Sequence, residues 1–362
     1  MPSMLHDRAA LLKTIGPIAF GGANLGNLYR PISDEHAERT LASALESGIG
    51  YVDTAPFYGF GLSEKRIGRI LAKYDPDARI VLSSKVGRLL EPDADADLSA
   101  VRSGFASPEP FRPVYDYSYD AVMRSWEESR RRLARERIDI LFVHDLGQRT
   151  HGVDHPHHFR TFMEGGYRAL RELRDSGEIS AFGLGVNEAE VCVEALAHGD
   201  FDVMLLAGRY TLIEQAPLDT LFPLCAEHDV RLVIGGPYNS GILATGAAKA
   251  GRYDYGAAPA DVVAKVAAIE RICAAYDIPL AAAALQFPLG HSQVAAVLPG
   301  LANEAQTLAS LRLVATPIPA DFWSELKDAG LLRADAPTPA TGGYGAADIG
   351  LSRTDLSGAN IS

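Results

Sequence analysis

Cysteine is scarce in this chain and widely scattered: Cys192, Cys225 and Cys273 are the three among 362 residues, and no two share a CxxC spacing. That set supports neither a disulfide framework nor a cysteine-ligated zinc site, and it fits a reducing compartment. Long apolar runs are missing too, since nowhere do about eighteen apolar residues follow one another as a bilayer crossing requires. The opening MPSMLHDRAALLKTIG carries charge before any apolar stretch forms, so no export signal is read and a cytoplasmic protein is expected. Positive charge is in deficit. With 34 Lys and Arg against 46 Asp and Glu, the net charge of -12 repels nucleic acid and anionic membrane, leaving a small-molecule substrate as the expected partner and the oligomeric state open.

A further absence bears on the fold. A doubly wound dinucleotide-binding sheet needs a GxGxxG turn between an early strand and a helix. Here Gly21 and Gly22 follow the first strand candidate, but Gly26 leads into Leu28-Tyr29-Arg30-Pro31 and not into a helix. What is present is ordinary globular material, 47% hydrophobic and 22% charged, enough to bury a large core. Short β-rich runs alternate with amphipathic stretches. The strand candidates are 14–20, 51–53, 80–84, 138–143, 180–184, 203–206, 231–234 and 294–298. Helices are expected over 34–47, 63–73, 119–136, 159–176, 189–198, 218–227 and 261–276. Eight strands in this alternation predict an α/β fold, a (β/α)8 TIM barrel over residues 1–333 with long loops at its C-terminal face. Segments 86–118 and 145–158 are those loops, expected to shape a substrate pocket. From 334 to 362 the Pro-, Ala- and Gly-rich chain reads as an irregular tail, either laid over the barrel mouth or disordered.

Four polar residues stand at or just after consecutive strand candidates: Asp53, Tyr58, Lys85 and His144. Groups at strand ends converge on the crevice at the top of a barrel despite wide separation in sequence. A tyrosine of pKa about 10 exchanges protons poorly at neutral pH, and an adjacent ammonium favours its phenolate. Lys85 can supply that charge, Asp53 can hold the lysine, and His144 can donate to a substrate oxygen, a set suited to proton transfer coupled to hydride transfer. Taken singly, each has a structural explanation: a strand-end cap, a packed aromatic, a solvated terminus, a satisfied buried histidine. His151, His155, His157 and His158 invite a metal reading, but no cysteine frames them and loop polarity explains them, so no metal is expected. Trp126, Tyr115, Tyr117 and Tyr119 are candidates either for the substrate mouth or for packing.

DTAPFYGFGLSEKRIG, with the lysine of VLSSKVGR and the histidine of LFVHD, resembles the aldo-keto reductase superfamily over roughly residues 14–312. Within it the chain is similar to bacterial aldose 1-dehydrogenases acting on fucose-like sugars and to pyridoxal 4-dehydrogenases. The resemblance implies Tyr58 as general acid/base, Asp53 and Lys85 as the residues that tune it, and His144 as the group orienting the reacting oxygen. It also implies a dinucleotide extended across the barrel mouth. Asn187 would hold the nicotinamide carboxamide, and Gly22 is a further cofactor-binding candidate. Gly236, Asn239, Gly241 and Leu243 belong to the loop crossing the pyrophosphate, and Gly300, Asn303 and Glu304 to the adenosine end. Where the family carries a glutamine and a ring-stacking tyrosine, this chain has Ala207 and Gly235. From Val297 to Leu311 there is no basic residue, and Glu304 would repel a 2'-phosphate, so NAD is expected in preference to NADP. The expected activity is oxidation of a sugar, aldose to lactone, or of a similar alcohol. The alternatives are NADPH-dependent reduction of small aldehydes or ketones, pyridoxal oxidation, metal-assisted or isomerase chemistry, and a non-catalytic cofactor-sensing barrel.

Overall fold

The computed structural model describes residues 11, 15–249 and 252–340. Eight parallel strands form one sheet: β1 Phe20–Gly21, β2 Tyr51–Asp53, β3 Val81–Val86, β4 Ile140–His144, β5 Ala181–Val186, β6 Val203–Ala207, β7 Arg231–Gly235 and β8 Val294–Leu298. Spatial order follows chain order, and parallel bridges Ile18 to Val297 and Gly21 to Gly300 bring the first strand against the last. The sheet is therefore a closed (β/α)8 barrel, as the alternation predicted. The outer layer contains α1 Asp34–Glu46, α2 Leu62–Tyr74, α3 Tyr119–Leu133, α4 Tyr167–Asp175, α5 Glu190–Leu196, α6 Leu221–Glu227, α7 Ala260–Ala275, α8 Leu280–Gln286, α9 Glu304–Ala315 and α10 Ala320–Asp328. No single described helix is long and apolar enough to cross a membrane.

Residues of a strand point alternately in and out, and that period of two positions the chemistry. Tyr51, Val81, Ile140, Phe142, Ala181 and Val203 fill the barrel interior, closed below by Leu11 and Ile15. The neighbours Val52, Leu82, Leu141 and Phe182 face the helices in a second apolar layer. Two residues above Tyr51 on the inward face comes Asp53, four above Val81 comes Lys85, and four above Ile140 comes His144. Their convergence follows from the alternation that packs the core.

The SEKRIG segment forms the first turns of α2 and ties three elements together. Ser63 donates to the Gly22 carbonyl, and Arg66 binds Asp34, Asn27 and the carbonyls of Leu25 and Ile32, fixing the chain after β1. Glu64, fully buried, accepts from Arg132 on α3 at 2.6 Å and from Ser84 at 2.6 Å. A Cβ at Gly68 would stand 2.2 Å from the Leu133 carbonyl, so only glycine lets the two helices approach this closely.

Several boundaries differ from those predicted. The continuous strand begins at Phe20, preceded by a single bridge at Ile18, because Gly16 takes φ +67° and Pro17 follows it; Thr14 lies outside the described residues. The helix expected over 159–176 is interrupted by a wide π turn at Phe162–Gly166, where a Cβ on Gly166 would stand 2.5 Å from the Tyr117 carbonyl. Segment 86–118 contains a hairpin of Arg88–Pro92 with Phe111–Tyr115, and a smaller one pairing Val101–Arg102 with Phe105–Ala106. Segment 145–158 carries short helical turns. Residues 334–340 have no regular structure, and the Thr338–Pro339 backbone packs on Gly290, in the connection leading into β8 and away from the barrel mouth. The rest of the tail lies outside the described residues.

Replacing Glu64 by Ala leaves Arg132 without its buried counter-charge and should cost about 3–5 kcal/mol in denaturant unfolding. Lys65→Ala, which removes an exposed pair with Glu109, should cost less than about 1 kcal/mol.

Candidate active site

At the top of the barrel Lys85 Nζ lies 2.6 Å from Asp53 Oδ2 and 2.9 Å from the Thr54 carbonyl. Lys85 is 2% exposed and Asp53 1%, so the pair exists in a low-dielectric interior where neither charge could stand alone. Ser83 donates to the other Asp53 oxygen at 2.7 Å, and the Tyr51 hydroxyl meets Ser83 at 3.0 Å. Both carboxylate oxygens are thus engaged. Gly185 on β5 makes room for the lysine, since a Cβ there would stand 3.0 Å from Phe142 Cβ and 3.5 Å from Lys85 Cε.

Tyr58 sits in the loop after β2, its ring centroid 4.9 Å from Lys85 Nζ and 6.1 Å from the His144 ring, edge to face. Backbone contact fixes that loop: a Cβ on Gly26 would stand 2.6 Å from the Tyr58 carbonyl carbon, and Gly59 has φ +65°. Burial pushes the Tyr58 phenol up to about 12, against the opposing pull of the Lys85 ammonium. The sequence predicted a net lowering; in the folded protein desolvation outweighs the lysine. For Lys85 burial works against the ammonium, yet Asp53 and Tyr58 more than offset it and hold its pKa above the ordinary value. His144 is held well below its ordinary range by burial, then by the charges of Lys85 and Arg88, so it is neutral; its Nδ1 is buried without a hydrogen-bond partner.

Two cavities meet at Tyr58. One is lined by six glycines, Gly21, Gly22, Gly208, Gly235, Gly236 and Gly300, with Asp53, Asn187 and Asn239. The other, of about 470 Å³, is lined by Lys85, His144 and Asp145 with Phe57, Phe105 and Tyr255, a size within the usual range of ligand pockets. Tyr58, Asn187, Ala207 and Tyr255 line both.

Gly22 packs on the end of β2, where a Cβ would stand 2.7 Å from the Asp53 carbonyl oxygen. Asn187 donates to the Tyr255 hydroxyl at 3.1 Å. Asn239 donates to the Gly208 carbonyl, while its Oδ1 is buried with no partner. Gly236 has φ +57° and Gly241 +111°, and Leu243 is fully buried below the loop. Asn303 caps α9 by accepting from the Gln306 amide, and Glu304 pairs with Arg39 of α1 at 2.9 Å. A basic group therefore does reach this region, from outside the stretch 297–311. Trp126 packs in the core, the Tyr119 hydroxyl donates to Glu172, and Tyr117 donates to the His144 carbonyl and contacts His151; none of these lines the pocket, nor does Tyr115. His155 binds the Leu146 carbonyl and Glu194, and among the described residues no set of His, Cys, Asp or Glu is arranged to hold a metal ion.

Sequence reasoning missed Ser83, Asp145, Arg88, Phe105 and Tyr255. Ser83 was recoverable, since it is the inward position between Val81 and Lys85. Arg88 and Phe105 reach the site from the hairpins that follow β3, and Asp145 and Tyr255 from turns with positive φ. Asp254 bridges Arg149 at 2.6 Å and Arg209 at 2.7 Å, beside Tyr255, which lines both cavities.

A barrel with a buried Tyr-Lys-Asp-His group beside a glycine-lined cleft defines an oxidoreductase that holds its dinucleotide without a separate nucleotide-binding domain. The aldo/keto reductase family profile matches residues 17–330, and the chain belongs to that family. It is 41% identical to pyridoxal 4-dehydrogenase of Microbacterium luteolum over 88% of this chain and 95% of the relative. To D-threo-aldose 1-dehydrogenase of a Pseudomonas species it is 37% identical, over 94% and 100%. The holo form of aldo-keto reductase AKR11C1 from Bacillus halodurans superposes with a TM-score of 0.67 at 25% identity, covering 89% of this chain and 94% of that one. An aldo/keto reductase from Klebsiella pneumoniae, solved with NADP and acetate, shares the fold at TM-score 0.60 and 18% identity, covering 90% and 94%. The protein is accordingly an NAD(P)-dependent oxidoreductase.

Because the His144 pKa is depressed on folding, its neutral form contributes stability above the unfolded value of about 6.5 that is lost as pH falls. Unfolding midpoints followed from pH 7.5 to 5 should drop more steeply for the wild type than for His144→Gln. In the same range the His144 imidazole resonances should not titrate.

Proposed function

We propose that the protein oxidises a small hydroxylated ring, most directly a cyclic aldose at its anomeric carbon, to the lactone, with NAD as the preferred cofactor. The observation that carries this reading is the shared wall. Tyr58 faces both a glycine-lined cleft suited to a dinucleotide and an adjoining pocket that mixes aromatic faces with a carboxylate. The pocket accommodates a ring with an apolar face and hydroxyl edges. The relatives' names, an aldose dehydrogenase and a pyridoxal dehydrogenase, support a substrate of this size.

The lining of the cleft itself suits a dinucleotide. Glycines at Gly236 and Gly300 leave the cleft wall open to a close-lying phosphate chain, and the unpartnered Oδ1 of Asn239 offers an acceptor to a ribose hydroxyl. Asn187 stands where the two cavities join, available to a carboxamide. When bound, a nicotinamide supplies the acceptor for the hydride leaving the substrate carbon. The chain's own residues handle the proton: Tyr58 Oη takes it from the substrate hydroxyl, Lys85 stabilises the phenolate that must form first, and Asp53 with Ser83 holds Lys85 in place. Neutral His144 orients the substrate oxygen without adding charge. The preference for NAD rests on the carboxylate of Glu304, which already engages Arg39 and would repel a 2'-phosphate at the start of α9.

Tyr58→Phe should lower aldose-dependent NADH formation about 10²–10⁴-fold while NADH binding, followed by fluorescence, is retained. Since the phenol is held at about 12, oxidation by the wild type should accelerate as pH rises from 7 to 10, and reduction of the corresponding carbonyl should not. NAD should exceed NADP in kcat/KM, and Glu304→Arg should move the ratio toward NADP by about tenfold or more. A wild type that prefers NADP, or that oxidises no aldose, overturns this function.

A further inference from the structure

Directly after His144 the chain turns through Asp145, which holds φ +53°, a left-handed conformation uncommon outside glycine and tolerated best by Asn and Asp. Its amide donates to the Gly185 carbonyl at 3.1 Å, so the turn is fixed to the neighbouring strand. The carboxylate lies in the wall of the 470 Å³ pocket. Its Oδ2 accepts from Arg88 Nη1 at 2.9 Å and stands 3.6 Å from His144 Nε2. Arg88 is itself held flat, its guanidinium carbon 3.2 Å from the centroid of Phe57 and 4.9 Å from that of Tyr115. No partner among the described residues engages Oδ1. A carboxylate in the pocket wall therefore keeps one acceptor oxygen free of protein partners beside the His144 imidazole.

We infer that Asp145 is a specificity-determining residue, reading through Oδ1 a hydroxyl on the carbon adjacent to the one oxidised. The inference rests on the function proposed above and narrows its substrate class to rings bearing a neutral vicinal hydroxyl donor. With Oδ2 only 3.6 Å from His144 Nε2, a group that reaches Oδ1 while the reacting oxygen meets the imidazole must be close to that oxygen, and a vicinal hydroxyl is. A carboxylate accepts and cannot donate, so it favours an alcohol and disfavours a readily ionised phenolic oxygen such as that of a 3-hydroxypyridine. Arg88 keeps the carboxylate in place, while Phe57, Phe105 and Tyr255 offer faces for the ring's C–H bonds. A site built around a hydrogen bond rejects the analogue lacking it far more strongly than an apolar pocket rejects one methylene.

The test compares kcat/KM for an oxidised aldose, chosen from L-fucose, D-arabinose and L-galactose, with its 2-deoxy analogue, in the wild type, Asp145→Ala and Asp145→Asn. The wild type should favour the 2-hydroxy sugar by about 100-fold or more. Asp145→Ala should reduce that ratio to within about threefold, mainly by losing activity on the 2-hydroxy sugar, and Asp145→Asn, which keeps shape and one acceptor, should fall between. NADH binding and thermal midpoint are followed alongside, and the conservative Asn variant keeps the comparison informative if the Ala variant folds poorly. A wild type that treats both sugars alike, or variants that retain its discrimination, overturn the role of Asp145 and leave aldose oxidation standing. If the wild type turns over pyridoxal and no aldose, the proposed function fails and this inference with it.

Discussion

A lysine and an aspartate, both almost fully buried and 2.6 Å apart, impose the main constraint on this barrel. Removing two charges from water is costly, and their mutual attraction repays it only when the remaining donors and acceptors are satisfied. Here Ser83 and the Thr54 carbonyl complete that satisfaction, and Tyr51 orders Ser83 in turn. Each of these side chains occupies an inward position of β2 or β3, so the register Tyr51 to Val81 and Asp53 to Ser83 is what brings the set together. A slip of one residue would turn lysine and aspartate into the apolar layer under the helices. The pair thus constrains the register, and the register places Tyr58 and His144 relative to Lys85.

The same site shows why tuning a phenol is not a matter of one neighbour. Lys85 lies near enough to pull the Tyr58 pKa down, yet the loop that presents the tyrosine also buries it, and burial prevails. The consequence for the chemistry is directional. A phenol that holds its proton in the free protein is ready to donate, and its use as a base calls for higher pH or for a bound positive charge. His144 obeys the same rule from the other side. Two nearby cations and a dry environment keep it neutral, so that it can orient an oxygen without competing for the proton.

The sequence made the barrel and the convergence of Asp53, Lys85 and His144 legible because both depend on local alternation. Apolar runs of strand length, ending in Asp53, Lys85 and His144, announce a parallel sheet with polar strand ends, and SEKRIG marks the helix that holds the Tyr58 loop. Elsewhere close backbone approach decided the outcome. The helix expected through 159–176 opens into a π turn where Gly166 lies against the Tyr117 carbonyl, which periodicity cannot register. The proline-bearing segment after β3 reads as irregular, yet Arg88–Pro92 and Phe111–Tyr115 pair into a hairpin. Asp145 looks like a loop residue after a strand, and nothing in LFVHD shows that its backbone turns left-handed.

The division between what was legible and what was not follows the division of labour in the barrel. Below the strand ends, burial and hydrogen-bonded backbone determine the structure, and the residues there answer to packing. Above them, positive φ values gather at Phe60, Asp145, Asn239, Ser240, Asp254 and Tyr255, a concentration of backbone that folding alone would avoid. Ion pairs hold these turns: Arg88 on Asp145, and Arg149 with Arg209 on Asp254. Each pair joins loops from different strands, so the shape of the mouth depends on charges far apart in sequence. If Asp145 reads the substrate as proposed, selectivity lies in turns whose conformations are set by partners across the mouth, while packing sets the barrel beneath them.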